Sequence, residues 1–204
     1  MSDRDLSAFA VIVLAAGSST RMMQGNKLTQ LVGTRPMVCH ALDTVTVLRP
    51  AEVIVVTGYE RSHVEELLRD QPVKPVFNPE HKQGMGSSLA VGAKAVRCGL
   101  AGVFVHLADV PFVAAETYLQ LANAMDEDSA ANYQIFAPVF AGLRGHPVLF
   151  RSAVLPALRQ LSGDIGARAL IKENACKVVT VDDRFIASDV DTEEDLRQAR
   201  RAFE

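Results

Sequence analysis

Cysteine is scarce in this chain, and what there is falls in no pattern. Cys39, Cys98 and Cys176 are the only three in 204 residues. Their number is odd and no two have the spacing of a zinc or redox site. That excludes a disulfide framework and a cysteine-based metal centre, and fits reduced thiols. A surplus of basic residues is also missing. Lys plus Arg is 21 and Asp plus Glu is 24, a formal net charge of −3. The chain thus lacks the electrostatic signature of a nucleic-acid binder, and no nucleic-acid partner is expected. Long apolar runs are absent as well. The uncharged stretch Ala8–Ala16, AFAVIVLAA, has nine residues, against about 20 for a membrane-spanning helix. Asp3 and Asp5 precede it where a secretory signal would be basic. The expectation is a cytoplasmic protein with no membrane partner. No internal repeat, low-complexity tract or linker breaks the chain. With 49% hydrophobic and 22% charged residues, it has ample material for a core and is expected to form a single domain.

Apolar, β-branched runs alternate with helix-like stretches over the first two thirds of the chain. Strands are expected at Phe9–Leu14, Val53–Thr57, Val73–Phe77 and Val103–Leu107. Helices are expected at Met37–Leu48, Arg61–Arg69, Ser87–Val96 and Ala114–Met125. This βαβα rhythm predicts an α/β fold with a mainly parallel sheet, covered by helices on both faces. From about residue 130 the rhythm changes. Ile135–Val139 and Val148–Phe150 read as short strands forming a hairpin or an antiparallel addition. Ala153–Leu161 and Ile165–Glu173 read as helices, Lys177–Val181 as a strand, and a last helix starts near Asp191 or Thr192. Residues 1–130 are read as a nucleotide-binding half and 131–204 as an acceptor-binding half of the one domain.

The most informative segment is Leu14-Ala15-Ala16-Gly17-Ser18-Ser19, followed by Arg21 and Lys27. A buried strand runs into a loop of small residues and then meets two cations. Such a loop brings backbone N–H groups close to an anion while the cations neutralise it, which suits a polyphosphate. The alternative is a plain strand-to-helix turn with solvated cations. The segment is neither a Walker A loop nor a GxGxxG fingerprint.

Four other places carry candidate chemistry. Asp109 directly follows the strand VFVHL, where ligands bind in open parallel sheets, and can hold Mg²⁺ against phosphates; alternatively it caps the turn before Pro111. Asp189 and Asp191 precede the last helix, and Asp191 also reads as its N-cap, with Glu194 three positions on. Asn78 to Gly86 lies between a strand and a helix. Gln83 and backbone amides there can read the edge of a base, and Gly84 permits its close approach; otherwise it is a polar loop ending at Ser87. His146, Asp164 and Arg168 complete the set. His146 is either structural or a pocket residue, Asp164 a helix cap, and Arg168 either solvated or an anion-binding cation.

Together these segments resemble a family. LAAGSSTRM with a downstream lysine looks like the N-terminal signature of the small nucleotidyltransferases that activate molybdopterin. Asn78-x-x-x-x-Gln83-Gly84, Ala108-Asp109-Val110-Pro111, Gly145-His146-Pro147-Val148, Gly163-Asp164-Ile165-Gly166-Ala167-Arg168 and Asp189-Val190-Asp191-Thr192-Glu193-Glu194-Asp195 follow in the family's order. The likeness is to molybdenum cofactor cytidylyltransferases within the MobA-like NTP transferase family. One departure concerns the base. Arg21 to Lys27 is a six-residue step with Met23 where glycine is usual, which is closer to the guanylyl pattern. LAAG, GHPV and GDIGAR lean to the cytidylyl side.

The resemblance implies a Rossmann-like sheet of the nucleotide-diphospho-sugar transferase type and Mg²⁺-dependent transfer of CMP from CTP to the terminal phosphate of molybdopterin. On that reading Arg21, Lys27 and Asp109 are catalytic. Leu14, Ala15, Ala16, Gly17, Ser18, Ser19, Arg21, Lys27, Asn78, Gln83, Gly84 and Ser87 bind nucleotide, and Asp109 and Asp191 hold the metal. His146, Asp164 and Arg168 bind the acceptor. A molybdoenzyme or its maturation chaperone is a transient partner. The alternatives are GTP as donor, another small phosphorylated acceptor, a nucleotide-sugar glycosyltransferase using Asp189-Val190-Asp191 as a DxD motif, and a non-catalytic carrier of the cofactor. The DxD motif usually follows an early strand, which counts against the glycosyltransferase.

Overall fold

Phe9–Ala15 reads FAVIVLA, apolar at every position, and such a strand needs cover on both faces. In the computed structural model, which describes residues 5–18 and 25–201, it lies inside a sheet. Phe9, Val11 and Val13 enter one core cluster while Ala10 and Ile12 enter another on the opposite face. Ser19 and Arg21, both expected in the phosphate loop, lie outside the described residues.

The strands, in chain order among the described residues, are β1 (Phe9–Ala15), β2 (Leu31–Val32), β3 (Arg35–Pro36), β4 (Glu52–Thr57), β5 (Lys74–Phe77), β6 (Gly102–Leu107), β7 (Ile135–Phe140), β8 (Leu143–Arg144), β9 (Val148–Arg151) and β10 (Cys176–Thr180). The helices are α1 (Met37–Val47), α2 (Arg61–Leu67), α3 (Met85–Ala95), α4 (Ala115–Glu127), α5 (Leu155–Leu158), α6 (Gly166–Glu173) and α7 (Glu193–Arg201). The main sheet runs β10-β7-β9-β6-β1-β4-β5. Its β1/β4, β1/β6, β4/β5 and β7/β10 pairs are parallel, and β9 is antiparallel to both β6 and β7. β8 turns back on β7, and β2 and β3 form a separate small ribbon. Helices α1, α2, α4 and α7 cover one face. Helices α3, α5 and α6 cover the other. The expected α/β architecture is therefore present, with a mostly parallel sheet between two helical layers.

Strand positions agree with the alternation to within a residue or two, and the departures have local causes. The two strands expected as a hairpin or an antiparallel addition, β7 and β9, do pair antiparallel, and β9 is the addition, lying between β7 and β6. The short β8, which was not expected, turns back on β7 in the connection between them. Arg151 pins the end of β9, donating to the carbonyls of Tyr133 (2.8 Å), Met125 (2.9 Å) and Asp128 (2.8 Å). The helix expected over Ala153–Leu161 is reduced to a 3₁₀ turn, Ser152–Val154, and the single turn of α5, which suffices to bury Leu155 and Leu158. Helix α3 starts at Met85 rather than Ser87, because Gly84, with φ 115°, ends the preceding turn and is itself the cap position. No helix among the described residues is long and apolar enough to cross a membrane.

Candidate functional site

Because β9 enters reversed, its first residues and the carboxyl ends of β1, β4, β5 and β6 meet at one edge of the sheet, where ligands of open α/β sheets bind. Lys27 reaches that edge from the turn Lys27–Thr29. Asn26 before it is buried and fixes the turn: its Oδ1 accepts from the Leu28 N–H at 3.0 Å, and its Nδ2 donates to the Tyr59 carbonyl at 3.2 Å. The Lys27 ammonium then donates to Asp109 Oδ2 at 2.6 Å and Asp191 Oδ1 at 2.5 Å. Only 9% of the lysine side chain is exposed, against 24% for Asp109 and 34% for Asp191. The carboxylates are thus open to a ligand from the solvent side while the cation sits behind them. Burial alone would push the ammonium pKa down, but the Asp109 charge and the bonds to Asp109 and Asp191 outweigh it and hold Lys27 above the usual lysine range.

The two aspartates converge for backbone reasons. The Val190 N–H donates to the Asp109 carbonyl at 2.8 Å and stitches the late loop to the strand-end turn. The alternative reading of Asp191 as an N-cap is not what the structure holds. Thr192 and Asp195 form the capping box: the Thr192 hydroxyl (2.7 Å) and N–H (2.8 Å) donate to Asp195 Oδ2, and the Asp195 N–H returns to Thr192 Oγ1 at 3.2 Å. Asp191 is released from capping and turns to Lys27. Asp189 is exposed, and its charge acts on His146 rather than on the lysine.

The donor-side loop divides into parts that face outward and parts that are committed inward. Leu14 is half-buried, Ala15 and Ala16 are buried, Gly17 is exposed and Ser18 half-buried. Asn78 is buried with its amide fully engaged: Nδ2 donates to Ser87 Oγ and Ser88 Oγ, both at 2.9 Å, and Oδ1 accepts from the Glu80 N–H at 3.0 Å. Ser87 in turn donates to the Gly84 carbonyl at 2.9 Å. Asn78 and Ser87 therefore brace the loop and do not point out of it. Gln83 is exposed. Gly84 has a different neighbour from the expected base, since a Cβ there would stand 2.0 Å from Asp164 Oδ1 and 2.7 Å from the Asp164 backbone N. The loops 78–86 and 162–168 are in direct contact.

That contact forms one wall of a pocket of about 610 Å³ lined by His146, Asp164 and Arg168, the three expected acceptor residues. Its floor is apolar (Leu14, Leu89, Val105, Leu107, Val148 and Phe150) and its rim carries Arg144 and Lys172 beside Arg168. Leu107 ends β6 two residues before Asp109, and the Asp109 charge acts on His146 of the pocket, so pocket and pair adjoin. The pocket draws on both halves of the chain, as does the Lys27–Asp109–Asp191 cluster. The imidazole of His146 is pushed below the usual histidine range by burial. The Val105 backbone, Asp109 and Asp189 pull it the other way, and Arg168 adds to the lowering. It is neutral at pH 7. Gly145 before it has no room for a side chain, because a Cβ would lie 2.1 Å from the Ile186 carbonyl.

Sequence reasoning missed Asn26, Asp195, Arg144 and Lys172. The first two carried a signal, an Asn at the start of a turn and a Thr-x-x-Asp box. Arg144 and Lys172 had none, being ordinary surface cations until the fold sets them on one rim. Among the described residues no group of three or more His, Cys, Asp or Glu is gathered to hold a metal ion. The acidic pair Asp109 and Asp191 is what the site offers.

Residues 11–178 match the sequence model of the MobA-like NTP transferase domain. The chain is similar to the nicotine blue oxidoreductase of Paenarthrobacter nicotinovorans, 30% identical over 201 residues, which are 96% of this chain and 98% of that protein. Among solved structures it resembles Rv0371c from Mycobacterium tuberculosis H37Rv, with TM-score 0.81 and 25% identity, covering 96% of this chain and 99% of that one. A manganese complex of Rv0371c aligns with TM-score 0.80 and 24% identity over 95% and 98% of the two chains. By its match to the family's sequence model over most of its length, the chain belongs to the MobA-like NTP transferases, a family of nucleotidyltransferases.

Proposed function

We propose that the chain transfers CMP from CTP to the terminal phosphate of molybdopterin, or of its molybdenum complex, and releases pyrophosphate. The observation that supports this best is the adjacency of a lysine–dicarboxylate cluster to a cation-rimmed, apolar-floored pocket at one sheet edge. The cluster suits a triphosphate, and the pocket suits a flat body carrying an anionic group. In this reading Leu14 to Ser19, Arg21 and Lys27 receive the triphosphate. Gln83 and the loop backbone, braced by Asn78 and Ser87, meet the base. Arg168, with His146 and Asp164, meets the acceptor.

An oxygen of the acceptor phosphate attacks the α-phosphorus in line. The new P–O bond forms as the bond from the α-phosphorus to the bridging oxygen breaks, and its electrons leave with pyrophosphate. A phosphate monoester has a second pKa of about 6 and is largely dianionic at pH 7, so no general base is needed. The chain's own residues act by positioning and by neutralising charge: Lys27 and Arg21 on the phosphates, Arg168 on the acceptor.

Asp109 and Asp191 suit a hard divalent ion. One oxygen of each faces the same position, held here by the Lys27 ammonium at 2.6 and 2.5 Å, and a pair of carboxylates would leave the remaining positions of a metal to phosphate oxygens and water, which is the habit of Mg²⁺. Bound there, Mg²⁺ supplies charge neutralisation and orientation of the phosphates. The manganese complex of Rv0371c supports a divalent ion in this fold.

A second reading is favoured by the nicotine blue oxidoreductase, which the chain matches along 96% of its length. In it the same pocket holds a compound to be reduced or oxidised. Pyrophosphate release, measured with Mg²⁺, molybdopterin and each of the four NTPs in turn, tests the assignment. CTP should exceed GTP by about tenfold or more, equivalent to about 1.4 kcal/mol. A GTP preference moves the assignment to guanylyl transfer. No pyrophosphate from any NTP, with reduction or oxidation of an organic compound instead, favours the oxidoreductase; binding of the pterin without any turnover favours a carrier.

A further inference from the structure

The ammonium of Lys27 stands where a divalent ion shared by Asp109 and Asp191 would stand. It is 2.6 Å from one carboxylate oxygen and 2.5 Å from the other, and Mg²⁺ would sit about 2.0–2.1 Å from such oxygens. Two cations cannot share one pair of oxygens at these distances without strong repulsion. We propose that Lys27 is the resident cation of the carboxylate pair: it holds the divalent-ion position until a triphosphate draws its ammonium away, so that metal and nucleotide enter together. The inference rests on the reading of Asp109 and Asp191 as metal ligands.

Three features support it. First, the carboxylates are held together by bonds that do not involve Lys27. Val190 N–H to the Asp109 carbonyl (2.8 Å) joins their two segments, and Asp195 Oδ2 accepts from the N–H groups of Asp191 (3.2 Å) and Thr192 (2.8 Å). The pair therefore persists when the ammonium leaves. Second, Asn26 anchors the backbone at Leu28 and Tyr59, so the exchange needs only the lysine side chain to turn. Third, lysine is suited to such an exchange. It carries a point charge on a flexible stem, and it bonds a phosphate oxygen as readily as a carboxylate. The consequence is a site with low affinity for free divalent ions and high affinity once the triphosphate has bound.

The test uses Mn²⁺ alone as probe, with binding to the nucleotide-free full chain followed by electron paramagnetic resonance. Lys27→Met and Lys27→Gln should bind Mn²⁺ more tightly than the wild type by about ten- to hundredfold, the range that one charge-assisted hydrogen bond corresponds to. Adding Asp109→Asn to Lys27→Met should abolish the gain. Wild-type crystals soaked in Mn²⁺ give a second measurement that does not depend on either variant folding. With a CTP analogue whose α–β bridge is methylene, anomalous density should lie between Asp109 and Asp191 with the Lys27 ammonium off both. Equal Mn²⁺ affinity in wild type and variants, or Mn²⁺ between the carboxylates with Lys27 still bonded to both, overturns the proposal and leaves the metal site standing. Absence of Mn²⁺ from the pair in both the neutral variants and the analogue-soaked crystals overturns the metal-site reading as well.

Discussion

Asp191 and Thr192 are neighbours in sequence with separate tasks, and a pair of substitutions should separate them. Thr192 closes the capping box with Asp195, so Thr192→Ala should cost about 1 kcal/mol of stability, the usual value of a lost N-cap. Asp191→Asn removes a charge from the lysine cluster without touching the cap. Its unfolding midpoint should stay close to wild type while nucleotidyl transfer falls by orders of magnitude, as it should for Asp109→Asn. A large loss of stability with ordinary turnover in Asp191→Asn would return that residue to the cap. A second residue-scale prediction concerns His106. It is 1% exposed on β6, and burial, with the neighbouring His146, pushes its pKa from 6.5 down to about 3. Between these two values the unfolded chain binds a proton that the native protein does not, so stability is full above pH 6.5 and declines as the pH falls toward 3. The loss contributed by this group is on the order of 5 kcal/mol at the acid end. Urea unfolding at pH 7 and pH 4.5 should show the decline, and His106→Leu should flatten it. An unchanged pH slope in the variant would mean that other groups carry it.

Among the elements, the parallel core strands were legible in the sequence because their apolar runs report burial on both faces. FAVIVLA and VIVVT could hardly be anything else. What the pattern could not show is the placement of β9. A short strand, VLFR, with three apolar residues before Arg151, gives no sign that it inserts between β6 and β7 in the reverse sense, since strand order depends on contacts between residues far apart in the chain. The glycine-containing loops were legible as loops, but the reason for Gly84 was not. It makes room for Asp164, and Gly84→Ala should show this. A Cβ at 2.0 Å from Asp164 Oδ1, on a residue with φ 115°, must push the loops 78–86 and 162–168 apart. Destabilisation of about 1–3 kcal/mol is expected from such overpacking, with KM rising for both donor and acceptor. A rise for the donor alone would mean that Gly84 faces the base, as the sequence suggested.

At the scale of the whole molecule, the site is a product of topology. Lys27 and Asp191 are 164 positions apart, and Lys27 and Asp109 are 82 apart. They meet because consecutive strands all end at one edge and the last loop is stitched back onto that edge. The individual residues could be named from motifs that resemble a family. Their convergence, and the sharing of the pocket between the two halves of the chain, could not be read before the strands were ordered. The proposed reaction at this edge joins a nucleoside monophosphate to a phosphorylated acceptor. Incubation with CTP labelled at the α- or the γ-phosphorus, followed by mass-resolved separation of the pterin product, tests it most directly. The α-label should appear covalently on molybdopterin in wild type and disappear from it in Asp109→Asn, while the γ-label appears only in pyrophosphate. Recovery of the α-label in free CMP or unreacted CTP, with none on the pterin, would contradict the claim.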